Sequence, residues 1–121
     1  MRVAIIGASS NRQKFGNKAV RSYASQGHEV FPVNPNEAEV EGHKTYASAR
    51  DIPGGAESAL LYVPPRVGID VLDDLAAAGI RDVYVNPGAG SPELMEKGEQ
   101  LGLNMISACA ILAIGDSPAR Y

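Results

Sequence analysis

The sequence predicts an α/β domain built on a doubly wound, parallel, five-stranded sheet, and three observations lead there. The chain opens with a short apolar run, residues 3–6, that breaks at Gly7 into a small polar loop. A helix follows, with Ala19, Val20 and Tyr23 on one face. A unit then repeats, in which a helix-like segment ends at a glycine and a β-rich run begins a few residues later. It occurs at Gly27 before Val30-Phe31-Pro32-Val33, at Gly79 before Val83-Tyr84-Val85, and at Gly102 before Asn104-Met105-Ile106. Glycine suits the left-handed residue that closes a helix, because it has no Cβ to clash. The third observation is that the strand-like runs are apolar almost throughout instead of alternating. Strands covered by helices on both faces read that way.

The elements follow in order. Residues 3–6 form the first strand, the segment carrying Ala19 to Tyr23 the first helix, and residues 30–33 the second strand. Residues 34–58 hold only a short edge piece at 43–46 and a weak helical turn at 47–51, stopped by Pro53-Gly54-Gly55. The third strand, 59–63, ends at Pro64-Pro65, and Val67, Val71, Leu72 and Leu75 mark an amphipathic helix after it. The fourth strand is 83–85. Ser91-Pro92-Glu93 supplies an N-cap, a proline at the first helical position and an acid in the first turn of the next helix. Residues 104–106 are the fifth strand, and the tail 115–121 shows no periodicity. Strands alternating with helices in this way make a Rossmann-like single domain, with expected strand order 3-2-1-4-5.

At 121 residues the chain has room for one core, and no domain boundary or low-complexity stretch interrupts it. A hydrophobic fraction of 45% with 21% charged residues is that of a globular protein. No apolar run approaches the roughly 20 residues of a membrane span, and the apolar start is too short for a secretory signal. The expectation is a cytoplasmic protein without a membrane partner. A single cysteine, Cys109, excludes an internal disulfide. The net charge of −3 and the lack of a basic stripe argue against a nucleic-acid partner.

In such a sheet, ligands bind past the carboxyl ends of the strands, where the strand order reverses. Four loops meet there: residues 7–14, Asn34-Pro35-Asn36, Tyr62-Val63-Pro64-Pro65 and 86–90. In the first, a strand passes through Gly7 into a polar loop with Arg12 and Lys14 and then into a helix. The free amides and dipole of a helix start attract an anion such as phosphate. The loop is not the dinucleotide fingerprint G-x-G-x-x-G, because Ser9 and Arg12 stand at the second and third glycine positions. At the end of the second strand, NAD enzymes usually carry an acid that binds the ribose hydroxyls. Here the position reads Val33-Asn34-Pro35, which tolerates a phosphorylated ribose, as in coenzyme A or NADP. The same three residues also have the composition of a plain turn.

Four segments carry a resemblance to a known family: Gly7-Ala8-Ser9-Ser10, Phe31-Pro32-Val33-Asn34-Pro35, Tyr62-Val63-Pro64-Pro65 and Met105-Ile106-Ser107-Ala108-Cys109. In that order and spacing they resemble the coenzyme A-binding domain family, whose fold also forms the amino-terminal part of the succinyl-CoA synthetase α subunit. The resemblance implies that Gly7, Ser9, Ser10, Asn11 and Arg12 form the loop holding the coenzyme's phosphates. It places Val33, Asn34 and Pro35 beside the adenosine, and Tyr62, Val63 and Pro64 along the pantetheine. The chain departs from the synthetases at Ser10, where they carry a further glycine. It departs again just beyond Pro35, where they carry a lysine and this chain has Glu37.

No catalytic constellation stands out. Cys109 follows the fifth strand and could face the cleft, where a mixed disulfide with coenzyme A is conceivable. Burial between Ala108 and Ala110 is the favoured reading, since neither His28 nor His43 is placed to activate the thiol. Asp73-Asp74 and Glu93/Glu96 read as solvated helix faces, and no cluster has metal-ligand spacing. The phosphorylated histidine of the resembling synthetases belongs to a second domain that this length cannot contain. The expected protein is therefore a stand-alone module binding coenzyme A or an acyl-CoA, without a catalytic constellation of its own, with a protein partner possible. The alternatives are an NADP-dependent oxidoreductase and the CoA-binding subunit of a split acyl-CoA ligase.

Overall fold

The computed structural model describes all 121 residues. Five parallel strands make the main sheet: β1 (Arg2–Ile6), β2 (Glu29–Val33), β5 (Ser58–Leu61), β6 (Asp82–Val85) and β7 (Asn104–Ser107). A two-stranded antiparallel hairpin, β3 (Glu39–Val40) and β4 (His43–Lys44), stands beside it. The helices are α1 (Phe15–Ser25), α2 (Pro65–Ala77), α3 (Pro92–Gln100) and the single turn α4 (Ala110–Ala113). The glycines that end the repeating unit, Gly27, Gly79 and Gly102, all have positive φ just past a helix end.

Strand residues divide by parity between two cores. Val3 and Ile5 face α1 and α4, packing with Val20, Tyr23 and Ile111. Ala4 and Ile6 face α2 and α3, packing with Leu72, Leu75 and Leu94. The central strands are thus buried on both sides, which is why their sequences are apolar without alternation.

The expected α/β fold is found, but the strand order differs from the expected 3-2-1-4-5. The full strands stand as β2-β1-β5-β6-β7, or 2-1-3-4-5 by order of appearance among the five. The reason lies at Pro32. Outward from β2, Asn34 N donates to Tyr46 O (2.9 Å) and Tyr46 N donates to Pro32 O (2.9 Å), making one parallel bridge between Val33 and Tyr46. The next outward donor would be the N–H of residue 32, and proline has none. The outer strand therefore stops at one residue, and the chain crosses back to lay β5 against β1. Of the edge piece expected at 43–46, residues 43–44 form β4 of the hairpin and Tyr46 is this stub, and the weak turn expected at 47–51 is a 3₁₀ turn at Ala49–Asp51, capped by Ser48. The order reverses between β1 and β5, so the crevice opens between the loops that follow those two strands.

Candidate functional site

The two loops at the switch point touch through their backbones. Gly7 has φ +86° and donates its N–H to Val33 O (3.0 Å). A Cβ on Gly7 would lie 2.6 Å from Tyr62 O and 2.9 Å from Val63 Cγ1. A Cβ on Gly16, in the first turn of α1, would collide with the Gly7 carbonyl oxygen. Gly16 therefore performs the close helix–strand packing that the third glycine of a dinucleotide fingerprint performs, four residues later than that pattern places it.

Between these glycines the loop is held by side chains. Ser9 Oγ accepts from Asn11 N (3.1 Å), and Asn11 Oδ1 accepts from Gln13 N (3.0 Å). Buried Asn17 donates through Nδ2 to Ser9 O (2.8 Å) and to Glu41 Oε2 (3.0 Å). Ser10 donates through its amide and hydroxyl to the Glu37 carboxylate, the hydroxyl bond being 2.6 Å. Arg12 is an exposed side chain paired with Glu41 at 3.4 Å. Lys14, at the N-cap of α1, takes part in none of the ion pairs.

Asn34 uses its whole amide on the backbone. Its Nδ2 donates to Ala8 O (2.8 Å) and its Oδ1 accepts from Asn36 N (2.8 Å). One side chain thus closes the second loop as a turn and fastens it to the first. Buried Asn86 does the same work in the fourth loop. It donates to Leu61 O (3.0 Å) and accepts from Ala110 N (2.8 Å), joining β5, β6 and α4.

Two cavities open along this crevice. The larger, about 480 Å³, is bounded by Gly7, Tyr62, Val63 and Pro64, with Lys14 and Phe15 on the helix side and residues 86–89 and Cys109 opposite. The smaller, about 310 Å³, is bounded by Gly7, Val33, Asn34, Pro35 and Val63, with Val67, Val71 and Asp74 of α2. Gly7 and Val63 belong to both, so the cavities adjoin at the switch point. Volumes of this size suit a small-molecule ligand. Seven of the eleven expected site residues line one or both cavities; Ser9, Ser10, Asn11 and Arg12 line neither and lie in the β1–α1 loop.

Tyr62 Oη is buried without a hydrogen-bond partner. Burial pushes its ionisation well above the ordinary tyrosine range, with Cys109 and then Tyr23 adding to the effect. It therefore stays a neutral hydroxyl, and its oxygen is enclosed beside the core that packs on α1 and α4. Cys109 is half-buried, packing against the core on the α1 side and lining the larger cavity. The paired acids of α2 are engaged elsewhere, Asp73 with Lys97 (2.9 Å) and Asp74 with Arg50 (2.6 Å). No group of three His, Cys, Asp or Glu side chains converges as a metal site would need, and no helix is long and apolar enough to cross a membrane.

Comparison with known proteins is decisive at this point, because a model of the CoA binding domain matches residues 1–115. The chain belongs to the CoA binding domain family. Among curated relatives, the domain is 34% identical over 99 residues to the acetate–CoA ligase (ADP-forming) II subunit alpha of Pyrococcus furiosus, covering 81% of this chain and 21% of that one. The chain thus spans about a fifth of that relative's length. Among solved structures, a conserved hypothetical protein from Pyrococcus furiosus superposes with a TM-score of 0.87 at 36% identity, covering 93% of this chain and 97% of the other. A dinucleotide-forming acetyl-coenzyme A synthetase 1 from Ca. Korarchaeum cryptofilum, in complex with phosphate and ADP, superposes with a TM-score of 0.79 at 27% identity. That match covers 88% of this domain and 25% of the synthetase. The same fold therefore occurs in a chain of nearly this length and within much longer ligase chains.

Sequence reasoning left Phe15 and the α2 residues Val67, Val71 and Asp74 outside the site. Only the packing of α1 and α2 against the sheet brings them to the crevice. Lys14 was legible as a cation beside Arg12, but not as the member of that pair free of a carboxylate partner.

Proposed function

We propose that this domain binds coenzyme A or an acyl-CoA in the crevice between the β1–α1 and β5–α2 loops, and that it carries no catalytic constellation of its own. The observation that carries this reading is the pair of adjoining cavities sharing Gly7 and Val63 at the switch point of a CoA binding domain. An elongated ligand with an adenosine at one end and a pantetheine at the other suits two chambers joined at a phosphate-favouring loop. The adenosine belongs in the smaller chamber, against Val33, Asn34 and Pro35. Ser9, Ser10, Asn11 and Arg12 take the phosphates, with Lys14 adding a cation. The pantetheine runs along Tyr62, Val63 and Pro64. The thiol end then approaches Cys109. Coenzyme A carries acyl groups as thioesters, and the lack of a converging acid–base set supports a role in holding that group rather than transforming it.

A second reading is favoured by the ligase relatives. In it, the domain is the CoA-handling part of an acyl-CoA ligase completed by other polypeptide. NADP binding is the weaker alternative, because the loop lacks the second glycine that admits a dinucleotide pyrophosphate.

One experiment separates the coenzyme A readings from the NADP reading. Released small molecules are identified by mass spectrometry after denaturing the purified protein, and CoA and NADPH are then titrated calorimetrically. Saturable CoA binding at one site per chain with no NADPH heat supports the proposal. NADPH binding without CoA binding overturns it.

A further inference from the structure

The loop assigned to the ligand's phosphates is already occupied by an anion of this chain. Ser10 donates both its amide and its hydroxyl to one carboxylate, that of Glu37, which lies 27 residues further along the chain. Two donors on two oxygens is the arrangement a phosphate would take. The carboxylate arrives on a braced support, because Asn34 Oδ1 accepts from Asn36 N, Glu37 N donates to Asn34 O (3.4 Å), and Asn34 Nδ2 grips Ala8 O in the same loop. Glu37 is half-buried and forms no ion pair, so Ser10 supplies its partners. Arg12 is engaged in a parallel way by Glu41. That residue sits at φ +50° in the Glu41-Gly42 turn between β3 and β4, a left-handed conformation that glutamate rarely adopts.

We propose that Glu37 is a built-in competitor for the anion site of this loop. Its carboxylate is present at the high effective concentration of a tethered group and repels any second anion. A free phosphate or pyrophosphate must displace it unaided. A ligand that also fills the two flanking chambers gains elsewhere the free energy that the displacement needs. Glu37 thereby sets a common threshold, which a phosphate borne on a large ligand clears and a free phosphate does not. This inference rests on the coenzyme reading only for the identity of that ligand.

The test uses the full chain with inorganic pyrophosphate and CoA as probes, comparing wild type with Glu37→Gln and Glu37→Ala. Glu39→Gln serves as a control, since it removes the same charge from an exposed position on β3 that does not touch the loop. Amide NMR of the ligand-free proteins reads the Ser10 resonance directly. The expected result is a shifted Ser10 amide and pyrophosphate binding tighter by about tenfold or more in the Glu37 variants, with CoA tightening by a similar factor, because both ligands must displace the same carboxylate. Pyrophosphate affinities within about twofold of the Glu39→Gln control in both Glu37 variants would overturn the assignment. Should the variants gain pyrophosphate while no form binds CoA, the Glu37 assignment stands and the coenzyme reading falls. Should CoA bind with no gain for pyrophosphate, the reverse holds.

Discussion

Replacing Gly7 with alanine probes the switch point directly. Two costs act in the same direction. At φ +86° an L-residue pays about 1–2 kcal/mol for crowding its Cβ against the following carbonyl. The new methyl would also lie 2.6 Å from Tyr62 O, 2.9 Å from Tyr62 C and 2.9 Å from Val63 Cγ1. Two of these are backbone atoms of a strand end that cannot rotate away, so overpacking adds about 1–3 kcal/mol. Alanine stiffens the unfolded chain, which offsets roughly 0.4–1 kcal/mol. A net loss of about 2–4 kcal/mol follows, a large share of the ~5–15 kcal/mol typical of a domain. Urea denaturation with wild type in parallel measures it, and the midpoint should fall with little change in slope. Gly16→Ala is the companion variant. Its φ is not positive, so only the clash with the Gly7 carbonyl acts, against the better helix propensity of alanine. Gly16→Ala should therefore cost less than Gly7→Ala. A Gly7→Ala protein within 1 kcal/mol of wild type would refute the reasoning, since the loops could then part without penalty.

Three further variants or probes test other parts of the account. Asn86→Leu leaves Leu61 O and Ala110 N without the partners they have now, and should destabilise the domain by about 2–5 kcal/mol in urea; a loss below 1 kcal/mol would remove Asn86 as the stitch between β5, β6 and α4. Buried Asp116 is held well below the ordinary carboxylate range by hydrogen bonds from Tyr121 and Ser22, then from Ser117 N and the nearby Arg120. Its contribution to stability is therefore complete above the unfolded value near 3.8 and is lost as the pH falls below it. Thermal melts should show Asp116→Asn less stable at neutral pH and converging on wild type in acid; parallel curves would contradict this. Cys109 lines the larger chamber, so saturating CoA should slow its alkylation by iodoacetamide by about tenfold or more; an unchanged rate would separate the thiol from the ligand path.

Much of the architecture was legible because parity and punctuation are local. Apolar runs without alternation announced a sheet buried on both faces, and Gly27, Gly79 and Gly102 marked helix ends where positive φ is found. The strand order was misread because Pro32 was taken as part of an interior strand. Its missing N–H had been a signal that β2 could pair fully on one side only. The turn α4 at Ala110–Ala113 and the 3₁₀ turn at Pro118–Arg120 are too short for any helical period to show. In the site, a parallel sheet put the four loops at one end, but the approach of Tyr62 and Val63 to Gly7 needs β5 beside β1, which the expected order lacked. The contact between Ser10 and Glu37 was not legible, because it depends on where the Asn34 turn aims a side chain across a gap of 27 residues. Asn34 was read as tolerating a phosphorylated ribose. The structure shows it spending both halves of its amide on the backbone, as the turn reading of that loop expects.

The central claim is that one ligand occupies both chambers and the loop between them. An amide NMR titration of the wild-type protein with CoA tests it most directly, because it reports every loop at once. The account predicts saturable shifts centred on residues 7–16, 33–37, 62–67 and 86–89, with Cys109 and the Arg12 partner Glu41, and little change in β7. Shifts absent at saturating CoA, or centred on the far edge of the sheet at β7, would contradict it.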